Sequence, residues 1–156
     1  MTNIDATTTE DNTPAFSLQK LYVKDISFEN PNAPMIYTVE NPQPNIEMNL
    51  KMENKQIDDD HWEVSLKASI LARDTTEDNQ VRFEIEVEHA GLFYMKNIPQ
   101  EHIDILINVD CPTMVFPYTR QLISQLTVDG GFLPLLLDTV NFAAAYEQSK
   151  QQQVLN

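Results

Sequence analysis

The chain has 156 residues, enough for one domain of ordinary size and not comfortably for two. Its 24 acidic and 10 basic residues leave a formal net charge of −14, with the cations scattered singly, so neither a nucleic-acid backbone nor an anionic membrane surface is a favoured partner. A basic protein partner is the class this charge attracts. Hydrophobic residues make up 42%, below the usual globular share but well above a disordered composition. The one cysteine, Cys111, excludes an internal disulfide and a thiolate metal cluster.

Residues 1–14 are polar and acidic, with no basic start and no apolar run, and read as a disordered tail rather than a signal peptide. With the cysteine count, this places the expected location in the cytoplasm. From Phe16 the pattern turns strand-like. Phe16 and Leu18 alternate, then Leu21 and Val23, then Ile26 and Phe28, and the phase slips between the pairs. One long strand with bulges or bends accounts for that. Asn30–Pro34 is a turn by its chemistry, Met35–Val39 a short extended piece, and Asn41-Pro42-Gln43-Pro44 a stop.

Three clearer strands follow. Ile46, Met48, Leu50 and Met52 alternate with polar residues, as do Trp62, Val64, Leu66, Ala68, Ile70 and Ala72, with Leu71 the one apolar residue out of phase. Val81, Phe83, Ile85 and Val87 alternate with Arg82, Glu84, Glu86 and Glu88. Period-two patterning buries one face and wets the other, the mark of an antiparallel sheet joined by short polar turns.

The second half changes period. Pro99 and Pro112 stand where helices can begin, because a first-turn residue needs no N–H. Ile103, Leu106, Ile107 and Val109 suit a short helix. Met114, Val115, Tyr118, Leu122 and Leu126 then mark the apolar stripe of a longer one, which Pro117 should kink and Asp129-Gly130-Gly131 should end. Phe132–Val140 reads as an apolar irregular loop, and Asn141 as the cap of a last helix over Phe142–Gln152. The expected fold class is α+β: four antiparallel strands followed by helices, one domain over 15–150 and a flexible tail over 151–156.

Enzyme templates find no match. With only three glycines there is no phosphate loop, and no Gly-x-Ser-x-Gly or His-Glu-x-x-His occurs. His61, His89 and His102 lack ligand spacing and read as surface or half-buried residues; Cys111 reads as a small buried residue. Asp58-Asp59-Asp60 lacks the alternation and glycine of a calcium loop and reads as a hairpin turn. No cofactor and no metal are expected. Glu84, Glu86 and Glu88 project from one strand face about 7 Å apart, either as an ordinary wet face or as a docking face for a basic partner. The apolar side is large for four strands and thin helices, which points to oligomerisation, a binding groove, or both.

Three segments resemble the bacterial protein-export chaperone family SecB: residues 22–34 (YVKDISFENPNAP), 110–120 (DCPTMVFPYTR) and 132–142 (FLPLLLDTVNF). They stand in the family's order and spacing. The resemblance implies a four-stranded antiparallel sheet with two main helices, assembled as a homotetramer, a dimer of dimers, that holds unfolded secretory precursor proteins without ATP and passes them to the translocase motor SecA. The motor-docking acids of the family fall on Asp25, Glu29 and Glu86. The neighbouring docking position, apolar in well-known members, is Glu84 here. The strand positions lining the client groove match Ile46, Met48 and Leu50, and Phe142 belongs to the loop and final helix over it. Neither nucleic-acid binding nor direct membrane insertion is implied.

Two departures stand out: Pro42-Gln43-Pro44 replaces a usual Trp-Gln-Pro, and Ala90-Gly91 a usual Gly-Gly. An aromatic wall of the groove is therefore missing or supplied by another residue. The alternative readings are a dedicated chaperone of one client, such as an antitoxin, and a small-molecule-binding protein.

Overall fold

A computed structural model of the chain describes residues 12–76 and 79–155. Most of the acidic N-terminal segment therefore lies outside the described residues. Four strands form one antiparallel sheet: β1 (Ala15–Glu29), β2 (Pro44–Gln56), β3 (His61–Asp74) and β4 (Val81–Lys96), in the order β1-β4-β3-β2. β2 to β4 form a meander, and the chain between β1 and β2 crosses from one sheet edge to the other.

The phase slips read in the first strand are bulges. Register shifts against β4 fall between Leu18 and Lys20 and between Val23 and Asp25. Each extra residue re-phases the strand, so Leu18, Leu21, Ile26 and Phe28 keep to one face although they break a strict alternation. β4 runs to Lys96, past Glu88, so His89, Gly91, Phe93 and Met95 continue its inward row. Ala90 keeps a negative φ, so the missing second glycine is absorbed without strain. Met35–Thr38, expected to be extended, is instead a turn of 3₁₀ helix. The Ile36 N–H donates to the Asn32 carbonyl at 2.8 Å, and the buried Ile36 side chain anchors the turn.

The helical half begins at Pro99. α1 (Gln100–Ile105), a π-helical stretch (Leu106–Asp110) and α2 (Cys111–Asp129) run without a break. Pro112 has no N–H to return to the preceding turn, and the chain widens into the π stretch immediately before it. Pro117 lies inside α2 without ending it. Gly130 and Gly131 close the helix, and Gly131, at φ 85°, takes a left-handed conformation that other residues enter at a cost. Residues 133–141 have no regular structure; the Asn141 side chain then accepts the Ala144 N–H at 3.0 Å and caps α3 (Phe142–Leu155). α3 thus includes most of the expected C-terminal tail.

α2 lies across β3 and β4 and reaches the end of β1. Its buried stripe is Cys111, Val115, Thr119, Ile123 and Thr127, a fourfold spacing. That corrects the sequence reading by one position: Met114 and Tyr118 face outward, 37% and 50% exposed. The helix is apolar on two sides, and hydropathy alone ranked methionine and tyrosine above threonine. The threonines are tolerated inside because their hydroxyls find partners, Thr127 donating to the Ser124 carbonyl at 2.7 Å and Thr119 to the Val115 carbonyl at 3.4 Å. Beneath the stripe lies the core of Val64, Leu66, Ile70, Ile85, Val87 and Phe93. No helix among the described residues is long and apolar enough to cross a membrane.

Candidate functional site

The outward face of the sheet carries the acids. Register places Glu47, Leu71, Glu84 and Glu29 in one row across all four strands, and Asn49, Ser69, Glu86 and Ser27 in the next. A third row holds Lys51, Lys67, Glu88 and Asp25. The four docking candidates Asp25, Glu29, Glu84 and Glu86 are thus brought onto one face from two adjacent strands. All four are exposed, and none has an ion-pair partner among the described residues.

Glu88 differs from its two neighbours. It lies 3.9 Å from Lys24, whose ammonium also contacts Glu63 at 2.9 Å. The Tyr22 hydroxyl donates to Glu63 at 2.5 Å. That hydrogen bond, followed by Lys24, holds the Glu63 carboxyl below its ordinary value, while burial and the same Glu63 push the Tyr22 phenol well up. The free negative charge is therefore centred on Glu84, Glu86, Glu29 and Asp25, with Glu47 at the edge. Leu71, the residue out of phase in its strand, is half-buried between Glu47 and Glu84 and gives this acidic face an apolar flank.

The opposite face carries the second candidate. Because α2 covers β3 and β4, the inward residues of β2 lie beside it rather than beneath it. Ile46 and Leu50 are half-buried and Met48 is 41% exposed, which leaves an apolar lane along an edge strand. At its head, Ile46 pairs with Ala72 and Ala72 with Phe83; Phe132 packs on the Phe83 ring at 5.0 Å and on Tyr37 at 5.5 Å. The Tyr37 hydroxyl donates to the Gly130 carbonyl at 2.7 Å and accepts from the Asn30 side chain at 2.7 Å. An aromatic cluster thus stands at the lane's head despite Pro42. Sequence reasoning missed it because Tyr37 lay in a segment read as extended and Phe132 in a loop. Between Phe132 and the buried Leu137, Leu133 and Leu136 are 89% and 71% exposed.

Phe142 is not on the lane's surface. It is buried, edge-on to Phe116 at 6.0 Å, and anchors the start of α3. α3 packs chiefly on the π-helical stretch, and its Tyr146 hydroxyl donates to Asp104 of α1. His89, expected at or near the surface, is 5% exposed, with Nδ1 2.8 Å from the Thr119 hydroxyl. Burial holds its pKa below the ordinary 6.5. Cys111 is fully buried and burial pushes its thiol up, away from reactivity. Asp58–Asp60 forms the β2–β3 hairpin turn, with the Asp60 N–H on Asp58 at 2.9 Å and the His61 ring on the same carboxylate at 2.8 Å.

Comparison with known proteins gives the family. A family model described as "Preprotein translocase subunit SecB" matches residues 9–153. A protein-export protein SecB of Desulfotalea psychrophila is 48% identical over 141 residues, 90% of this chain and 89% of that protein. Its counterpart from Magnetococcus marinus is 45% identical over 139 residues, covering 89% of this chain and 87% of that protein. Among solved structures, a SecB-like chaperone of Mycobacterium tuberculosis, in complex with a ChAD peptide from the HigA1 antitoxin, superposes with a TM-score of 0.65. That likeness spans 80% of this chain and 90% of the other at 14% identity, so it speaks to the fold. With the family model covering nearly its whole length and relatives of this similarity, the chain belongs to the SecB family of protein-export chaperones.

Proposed function

We propose that this protein is an ATP-independent holding chaperone of the cytoplasm that keeps unfolded precursors competent for export and delivers them to the translocase motor SecA. The observation that carries the reading is the division of the sheet into two unlike surfaces. One face presents four uncompensated carboxylates beside an apolar residue, and the other an apolar lane beside α2 headed by an aromatic cluster.

Asp25, Glu29, Glu84 and Glu86 form the motor-docking patch, where carboxylates steer a basic partner and Leu71 supplies desolvated contact. Ile46, Met48 and Leu50 take extended apolar segments. Methionine suits varied clients because its side chain adapts its shape, and the exposed edge of β2 offers backbone hydrogen bonds that demand no sequence. Phe142 acts through position, by fixing α3. The work is binding, not catalysis. A homotetramer, a dimer of dimers, covers the outward apolar residues of α2 and sets several lanes within reach of one long client.

The test is mass by light scattering on an eluting column, with and without a permanently unfolded, carboxymethylated protein, and no nucleotide. A species of about 72 kDa, four times the 17.9 kDa chain, that gains the mass of one unfolded chain is the expected result. A tetramer that ignores the unfolded chain sinks the general-holdase reading. Reversing Asp25 and Glu86 to Lys should abolish motor binding while client binding survives. Equal loss of both in a tetrameric variant refutes the division of labour.

A second reading, a chaperone dedicated to one client, is favoured by the fold shared with the antitoxin-peptide complex. Recovery of one bound protein, rather than many unrelated precursors, distinguishes it.

A further inference from the structure

By alternation along β4, Arg82 belongs on the acidic outward face with Glu84 and Glu86. A bulge takes it off that face. Arg73 pairs with Val81 and Ala72 with Phe83, so Arg82 is the extra residue of β4 at this point. Its guanidinium instead stands over the Phe132 ring, 5.4 Å from the centroid, and its Nη1 donates to Asp74 at 3.5 Å. The Arg82 side chain is 14% exposed and that of Asp74 1%.

Asp74 is itself built in. Its Oδ1 accepts the backbone N–H groups of Gln43 and Thr76, each at 3.2 Å. Burial pushes the carboxyl up, but these N–H groups and Arg82 outweigh it, and the group stays below its ordinary range. Gln43 immediately precedes β2, and Phe132 begins the loop that runs over to α3. The Phe132 N–H donates to the Thr127 carbonyl at 3.0 Å, and the Leu135 N–H to the Thr127 hydroxyl at 3.0 Å. One run of contacts, from the Gln43 backbone N–H through the side chains of Asp74 and Arg82 to Phe132, therefore joins the start of β2 to the root of the loop.

We propose that Arg82 is a positioning residue of the client lane: held by Asp74, it fixes Phe132 and so sets the loop at 131–141 against the start of β2. This rests on the chaperone reading above for the word client, but the mechanical link is read without one. A planar cation lying on an aromatic ring in a desolvated setting is the strong form of that contact, and a lysine cannot reproduce the flat face.

The experiment uses the full chain and the variants Arg82→Ala, Arg82→Lys, Phe132→Leu and the Arg82→Ala/Phe132→Leu double. The first readout is hydrogen exchange at the Phe132 and Leu135 amides; the second is the dissociation rate of a carboxymethylated unfolded protein. Arg82→Ala should speed exchange at both amides about tenfold and release the unfolded chain several-fold faster, with amides of β3 and β4 unchanged. Arg82→Lys, which keeps a cation for Asp74 and with it the fold, should show most of that loosening. The double variant should be little worse than Phe132→Leu alone, because both substitutions break one contact. Unchanged exchange in both Arg82 variants overturns the proposal, and so does full additivity in the double. If the unaltered protein ignores the unfolded chain, the chaperone reading fails, and the exchange arm still decides the Arg82–Phe132 link.

Discussion

His89 and Thr119 meet between the sheet and α2, in a place with no room for a charge. The Thr119 hydroxyl, donating to the Val115 carbonyl, is free to accept from His89 Nδ1–H. Thr119→Val keeps the volume and removes that acceptor, leaving a buried N–H unpaired. We expect a loss of about 1–3 kcal/mol in urea unfolding. A histidine held below 6.5 in the fold takes up a proton on unfolding. Its penalty is therefore absent above that pH and grows as pH falls through it. His89→Gln, which cannot titrate, should lose less stability than the parent between about pH 7 and pH 5. Identical pH profiles would show that His89 is not the group concerned. Gly130 makes a second residue-scale test: a Cβ there stands 2.2 Å from Phe28 Cζ. Gly130→Ala should cost about 1–3 kcal/mol by forcing the ring off its seat on Phe83.

At the scale of elements, the strands were legible and the helix faces less so. A strand has two sides, and polar residues at alternate positions leave little doubt which is wet. The bulges of β1 were readable as phase slips because each extra residue inverts the pattern beyond it. α2 was harder. Its outward Met114 and Tyr118 are as apolar as its inward residues, and three of the five residues of the inward stripe are threonine or cysteine. The consequence is a prediction for assembly. Met114→Lys with Tyr118→Lys should leave the circular dichroism of the fold intact while lowering the mass measured by light scattering, since these side chains are already in water in the single chain. A collapse of the fold itself would mean that they contribute to the core.

At the scale of the whole molecule, part of the net charge of −14 is gathered on the sheet face. On the proposed docking role, motor association should weaken steeply as salt rises, because exposed carboxylates act over a distance that salt shortens to about 8 Å at physiological strength. Client binding along the proposed apolar lane should hold or strengthen. Leu71→Ser should weaken motor association with little change in its salt dependence, whereas Glu84→Gln should reduce that dependence. Titrations at two ionic strengths distinguish the two effects.

The sequence by itself determined the sheet, the loops at glycine and proline, the cap at Asn141 and the family. These depend on local chemistry: period, φ preference and a missing N–H. The tertiary structure alone decided what lies beside what. Asp25 and Glu29, distant in the chain from Glu84 and Glu86, share a face with them because β1 pairs with β4 at one edge of the sheet, and Glu88 drops out of that set because Lys24 reaches it. Arg82 changes sides because one bulge adds one residue. The aromatic cluster forms because the loop after α2 returns Phe132 to Tyr37 and Phe83, whose partners are fixed by long-range register that no local pattern encodes.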